Sequence, residues 1–257
     1  MRVVIKIGTT TLAHPSGHLN IRRVETLCKV ISDIKNAGNE VILVSSGAIG
    51  MGVGKLGLHS RPTDMPTKQA AAAVGQCELM YTYDKLFSEF HHTVAQLLIT
   101  NDDVENEERH SNFCNTLNRL LELHAIPILN ENDTVSTAEI VIGDNDTLAA
   151  IVAKSVKADL LIRLSDIDGL YTADPHTDPT AKRIPYIGDV NEDVMALAGV
   201  SASSQGTGGM VTKLRAAKIC LACHCDMVIA NGADPDNLYD ILDGKPIGTR
   251  FSEKAYV

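Results

Sequence analysis

Apolar residues fall into two patterns along this chain: short continuous runs, and longer stretches spaced for one face of a helix. Val3-Val4-Ile5-Lys6-Ile7 is β-branched, broken only by a lysine, and predicts a strand. Ile21, Val24, Leu27, Cys28, Ile31 and Ile34 then share a helical face, with Asn20 as N-cap and Gly38 as the stop. Val41-Ile42-Leu43-Val44 predicts a second strand, residues 67–90 a long helix, and residues 94–99 a third strand. A helix over 108–124 and the strand Ile126-Pro127-Ile128-Leu129 follow. In the C-terminal half, strand-like Glu139-Ile140-Val141-Ile142 precedes a helix over 145–156 and a strand over 160–164. Then come a loop or hairpin over 169–183, a helix over 212–224 and a strand over 227–230. The small-residue stretch 198–212 reads as a functional loop. Apolar strands alternating with amphipathic helices predict an α/β fold, a mainly parallel sheet covered on both faces.

Composition narrows the classes. The 257 residues contain no repeat, low-complexity tract or linker, so one domain over 1–257 is expected. Lys plus Arg number 23 against 32 Asp plus Glu, a formal charge of −9, which argues against nucleic acid as the main partner. The most apolar uncharged run, 41–53, is too short for a membrane span and is broken by serines and glycines. No basic segment leads into an apolar stretch at the N-terminus, so the cytoplasm is the expected location. Cys220, Cys223 and Cys225, with His224 among them, lack the second CxxC or His pair of a zinc site and are read as buried or semi-exposed thiols. No metal-ligand set is predicted.

In open parallel sheets, ligands sit beyond the carboxyl ends of the strands. Here those ends are polar or small: Lys6-Ile7-Gly8-Thr9-Thr10, Ser45-Ser46-Gly47-Ala48-Ile49-Gly50, Asn130-Glu131-Asn132-Asp133 and Ser165-Asp166-Ile167-Asp168-Gly169. Gly52, Gly54 and Gly57 match the GxGxxG spacing but come several residues after the strand and run into His59-Ser60-Arg61-Pro62, so a dinucleotide site is not predicted. No GxxxxGK[ST] string occurs. Gly206-Thr207-Gly208-Gly209-Met210-Val211-Thr212-Lys213 is the strongest anion signal, because glycine N–H groups and a helix N-terminus favour phosphate. Lys213 falls in the first helical turn, where a cation is unfavourable without an anion beside it. Lys6, inside an apolar strand, needs a partner or a solvent-filled cleft, and two lysines facing one phosphate would account for both. In Gly143-Asp144-Asn145-Asp146, either Asp144 or Asn145 is a candidate N-cap. Asp133 and Asp146 are candidates to hold Mg²⁺, orient a lysine or accept an ammonium group.

Taken together and in order, Lys6 to Leu12, Ser45 to Ile49, Asn130 to Asp133, Gly143 to Asp146, Asp166 with Gly169 to Pro175, and Gly206 to Lys213 resemble the amino-acid kinase family. The similarity runs from the first strand to Thr249-Arg250-Phe251 and is nearest to members that phosphorylate the γ-carboxylate of glutamate on the route to proline. It implies a three-layer α/β/α sandwich on a mostly parallel sheet. By resemblance, Lys6 and Lys213 stabilise the phosphoryl group in transfer, and Asp146 organises the two lysines. Ser46, Asp133 and Asn145 bind glutamate. Lys6, Ser165, Asp166, Thr207, Gly208, Gly209, Met210, Val211, Thr212 and Lys213 bind ATP, with Mg²⁺ as the accompanying ion. It further implies a homodimer or homotetramer, feedback inhibition by proline, and coupling to a reductase that consumes glutamyl phosphate. The RNA-binding-like C-terminal PUA domain of many bacterial members is not expected here. The alternatives are a relative acting on aspartate or acetylglutamate, and a non-catalytic amino-acid sensor of the same fold.

Overall fold

A computed structural model describes residues 1–14, 18–135, 145–175, 177–200 and 209–254. The first half runs β1 (Arg2–Ile7), α1 (Thr9–Leu12), α2 (Ile21–Asn36), β2 (Glu40–Ser45), α3 (Ala48–Lys55), α4 (Met65–Ser88), β3 (Val94–Ile99), α5 (Asn101–Glu105), α6 (Glu107–Glu122) and β4 (Ile126–Glu131). The second half runs α7 (Asn145–Ser155), β5 (Leu160–Ser165), β6 (Leu170–Tyr171), β7 (Arg183–Ile184), β8 (Tyr186–Ile187), α8 (Glu192–Val200), α9 (Met210–Leu221), β9 (Asp226–Asn231), α10 (Asn237–Leu242) and β10 (Thr249–Phe251).

Eight of these strands form one sheet in the order β3-β4-β2-β1-β5-β9-β10-β8. The pairs from β3 through β9 are all parallel, and β10 then turns antiparallel to β9. The predicted mainly parallel sheet is therefore present. Every residue of β4 and β5 is buried, as expected for central strands covered on both faces. Alternation along the strands divides their side chains between two cores. Val4, Ile42, Val44, Leu161 and Ile229 pack with residues of α6, α7 and α9 on one face. Val3, Ile5, Leu43, Ile162 and Val228 pack with residues of α2, α4 and α10 on the other. The result is the α/β/α sandwich.

Local signals explain many boundaries. Asn20 caps α2 by accepting from the Arg23 N–H, and Gly38 follows the helix with φ 92°. Residues 169–183 form an excursion that β6 and β7 close as an antiparallel pair. The structure adds elements the sequence expectation lacks, among them the short helices α1, α5 and α10, and it departs from it elsewhere. Residues 48–55 form a helix (α3) although three of its eight residues are glycine. The stretch 198–212 is not all loop, since α8 extends through Val200 and α9 starts at Met210. The short strands β8 and β10 carry too few residues to show a period. The expected strand at Glu139-Ile140-Val141-Ile142 lies outside the described residues.

Candidate active site

Strands β1 and β5 lie side by side, with Lys6 opposite Arg163. Both point to the face covered by α7 and α9, and each is only 6 % exposed. A buried cation is costly unless it meets an anion, and these two meet the same one. Lys6 Nζ lies 2.8 Å from Oδ1 of Asp146, and Arg163 Nε donates to that oxygen at 2.7 Å. Asp146 sits in the first turn of α7, where the helix dipole favours a carboxylate. Burial would raise its carboxyl, but the Arg163 guanidinium and Lys6 ammonium outweigh that and hold it well below the usual carboxylate range.

Lys213 occupies the fourth position of α9 and is 5 % exposed. Burial pushes its ammonium down to about 8; Arg163 and Lys6 push the same way, while Asp146 and Asp166 oppose them. Three buried cations thus lie within electrostatic reach of one buried carboxylate, at the carboxyl ends of β1 and β5. Asp146 is not a bridge between the two lysines alone: its short contacts include Arg163, a residue of the apolar strand β5.

The α9 N-terminus adds polarity. Gly209 is its N-cap and supplies no side-chain bond. The Thr212 hydroxyl donates to the Gly209 carbonyl at 2.8 Å and stands 3.4 Å from Asp146 Oδ2. Met210 is buried in the apolar core and Val211 packs against it, so their backbone N–H groups are what they can offer a ligand. Ser165, buried at the end of β5, donates to the exposed Asp166 at 2.9 Å. Thr207 and Gly208 lie outside the described residues, as do Gly206, Gly143 and Asp144.

On the β2–β4 side, amides and hydroxyls replace the cations. Asn145 Nδ2 donates to Ser46 Oγ at 2.8 Å, and to the Ser45 carbonyl and Asn130 Oδ1 at 3.1 Å. Asn130 in turn donates to Gln76 Oε1 at 2.9 Å. The Ser45 hydroxyl shares a 2.9 Å bond with Tyr83, which is fully buried. Two of the three expected glutamate-binding residues, Ser46 and Asn145, are therefore in direct contact. Asp133 is half-buried at the end of the Asn-Glu-Asn-Asp string. Burial pushes its carboxyl up to about 6, with Glu131 adding to the rise and Arg61 opposing it.

The loop carrying Ser46 is set by glycines. Gly47 caps α3 with φ 103°, a conformation disfavoured for other residues. A Cβ on Gly75 would fall 1.7 Å from the Ala48 carbonyl oxygen, and one on Gly52 1.8 Å from that of Ala71. Helices α3 and α4 thus touch backbone to backbone, which gives Gly52 a packing role in place of a dinucleotide loop.

The cysteine cluster behaves as thiols. Cys220 and Cys225 are buried, and Cys223 donates to the Cys220 carbonyl at 3.2 Å. Among the described residues, no three His, Cys, Asp or Glu side chains gather to hold a metal. Asp146 Oδ1 is already shared by two cations. These residues do not form a Mg²⁺ cage of their own, whereas a nucleotide's phosphates supply most of the oxygens such an ion needs.

Arg163 was legible in principle. Leu160-Leu161-Ile162-Arg163-Leu164 is an apolar strand with one buried charge, the same signal that singled out Lys6.

An α/β/α sandwich with cations gathered at the carboxyl ends of its central strands is an architecture suited to small-molecule phosphoryl transfer, and solved kinases share the fold. Carbamate kinase from Giardia lamblia bound to AMP-PNP matches with a TM-score of 0.70 at 17 % identity, over 98 % of this chain and 98 % of that one. UMP kinase from Bacillus anthracis matches with a TM-score of 0.67 at 17 % identity, over 100 % and 97 %. The chain belongs to the amino acid kinase family, whose model matches residues 1–231. Among curated relatives, glutamate 5-kinase of Clostridium perfringens is 52 % identical over 257 residues, 98 % of this chain and 96 % of that enzyme. Glutamate 5-kinase of Symbiobacterium thermophilum is 51 % identical over 254 residues, 99 % and 97 % of the two.

Proposed function

We propose that this chain transfers the γ-phosphoryl group of ATP to the γ-carboxylate of L-glutamate, giving L-glutamyl 5-phosphate and ADP. The observation that carries the reading is the convergence of Lys6, Arg163 and Lys213 around Asp146. Identity of about half with two glutamate 5-kinases over nearly the whole chain supports glutamate as the acceptor.

A γ-carboxylate has a pKa of about 4.3 and is ionised at neutral pH, so its oxygen can attack without a general base. The new P–O bond forms as the bond between the γ-phosphorus and the bridging oxygen breaks, with that electron pair leaving on ADP. What remains for the protein is in-line positioning and neutralisation of charge on the transferring group. Lys6 and Lys213 supply the neutralisation. ATP enters as its Mg²⁺ complex along Ser165, Asp166 and the α9 N-terminus. Ser46 and Asn145 hold the substrate carboxylates, and Asp133 accepts the α-ammonium.

Asp133 also weighs against acetylglutamate, whose acylated nitrogen would leave a half-buried carboxylate without its cation. Among the described residues, no helix is long and apolar enough to cross a membrane. The same reading includes a homodimer or homotetramer in the cytoplasm, inhibition by proline, and a reductase that consumes the unstable acyl phosphate. Hydroxylamine trapping tests the core of it: hydroxamate should form with ATP and glutamate. Hydroxamate formed with aspartate instead, or with neither acid, overturns it.

A further inference from the structure

Two observations set Arg163 apart from the residues already assigned. Its Nε bond occupies the same Asp146 oxygen that Lys6 contacts. Its Nη1, fully shielded from solvent, has no hydrogen-bond partner among the described residues. A buried, unpaired N–H group is costly, so this guanidinium is poorly explained as a stabilising core residue. A leucine would continue the apolar run of β5 without that cost.

Charge accounting suggests what the arginine does. Without it, the one buried carboxylate of the cluster would be compensated by Lys6, and the positive charge left for a phosphoryl group would shrink by one. With it, two cations share the one negative charge at Asp146 Oδ1, and the pair keeps a net positive charge for the ligand. We propose that Arg163 is a positioning residue for phosphoryl transfer, neutralising and orienting Asp146 so that Lys6 and Lys213 remain electrostatically available to the transferring group. This rests on the kinase reading above.

Among the described residues, the charged groups that act on the Lys213 ammonium are Lys6 on β1, Arg163 on β5, Asp146 on α7 and Asp166 just after β5. Arg163 is the largest charge effect lowering the Lys213 ammonium, second only to burial. Removing it should therefore move the alkaline limb of kcat/KM for ATP to higher pH, an effect that mere loosening of the core would not produce.

The test compares wild type, Arg163→Met, which keeps length and loses charge, and Arg163→Lys, which keeps the charge. The hydroxylamine assay gives kcat and KM across pH, and circular dichroism confirms folding. Arg163→Met should lower kcat about tenfold with the glutamate KM nearly unchanged, the size of one lost favourable charge in a partly desolvated site. Its alkaline limb should rise, and Arg163→Lys should recover most of kcat and return the limb toward wild type. Wild-type kcat with an unmoved limb in Arg163→Met overturns the proposal, and so do equal losses in both variants with no movement of the limb. If Arg163→Met does not fold, Arg163→Lys decides alone: kcat within a few-fold of wild type supports the role, and loss as large as that of a Lys6→Ala variant overturns it. Absence of hydroxamate from the wild-type enzyme would refute the kinase reading instead, so the two failures are separable.

Discussion

The two halves of the site solve the problem of burying polarity in different ways. Around Asp146, buried full charges meet at 2.7–2.8 Å, and three cations gather near one carboxylate. Around Asn145, neutral amides and hydroxyls link Gln76, Asn130, Asn145 and Ser46 by hydrogen bonds, and Asp133 is half-buried just after β4. The first arrangement is strong but unspecific in direction, and suits charge that develops on a moving phosphoryl group. The second is weaker per contact and directional, and suits recognition of an acid by the placement of its atoms. On the proposed kinase reading, choice of substrate and stabilisation of the transition state fall on opposite sides of β1.

Breaking the charged half should have the largest consequences. Asp146→Asn leaves Lys6 and Arg163 buried without their anion and should lower unfolding free energy by about 3–5 kcal/mol in urea titration. A loss below about 1 kcal/mol would mean that water reaches both cations. Because the Asp146 carboxyl is held below its unfolded value, its contribution is fully present above about pH 4 and is lost as pH falls below that value. Lys213→Ala should keep the fold and lower kcat at least about a hundredfold, or ~2.7 kcal/mol of transition-state stabilisation. Near-normal turnover would remove Lys213 from the chemistry.

The directional half should respond through binding. Asp133→Ala should raise the glutamate KM about thirtyfold, near 2 kcal/mol, with kcat much less affected. Burial pushes the Asp133 carboxyl up to about 6, so it loses its charge as pH falls through that value. Wild-type kcat/KM for glutamate should therefore drop below pH 6, and Asp133→Ala should lack that acid limb. Ser45→Ala, which leaves the buried Tyr83 hydroxyl unpaired, should cost about 1 kcal/mol of stability and change kinetics least. A kinetic loss from Ser45→Ala as large as that of Asp133→Ala would erase the division between the halves.

Some of this site was legible residue by residue. Lys6 declared itself because a charge interrupted an apolar run, and Ser46, Asn130, Asp133 and Ser165 because they follow predicted strands. Arg163 carries the same signal as Lys6, but a lone arginine in a strand names no partner until a facing helix is placed. Helix α3 was hidden for a different reason. Gly50, Gly52 and Gly54 lower helix propensity, and only contact with α4, where the Gly52 and Gly75 backbones have no room for a Cβ, makes a helix favourable there.

The order of elements, the parallel layering and the list of polar strand ends follow from period and composition, because both are local properties of the chain. Which charges share an oxygen is not local. Lys6, Asp146, Arg163 and Lys213 span more than two hundred residues of sequence. Their pairing, and the displaced titration of Asp146 and Lys213, depend on strand register and helix placement that bring them together away from water. Electrostatic energies vary steeply with distance and solvation, and both are set by the folded structure.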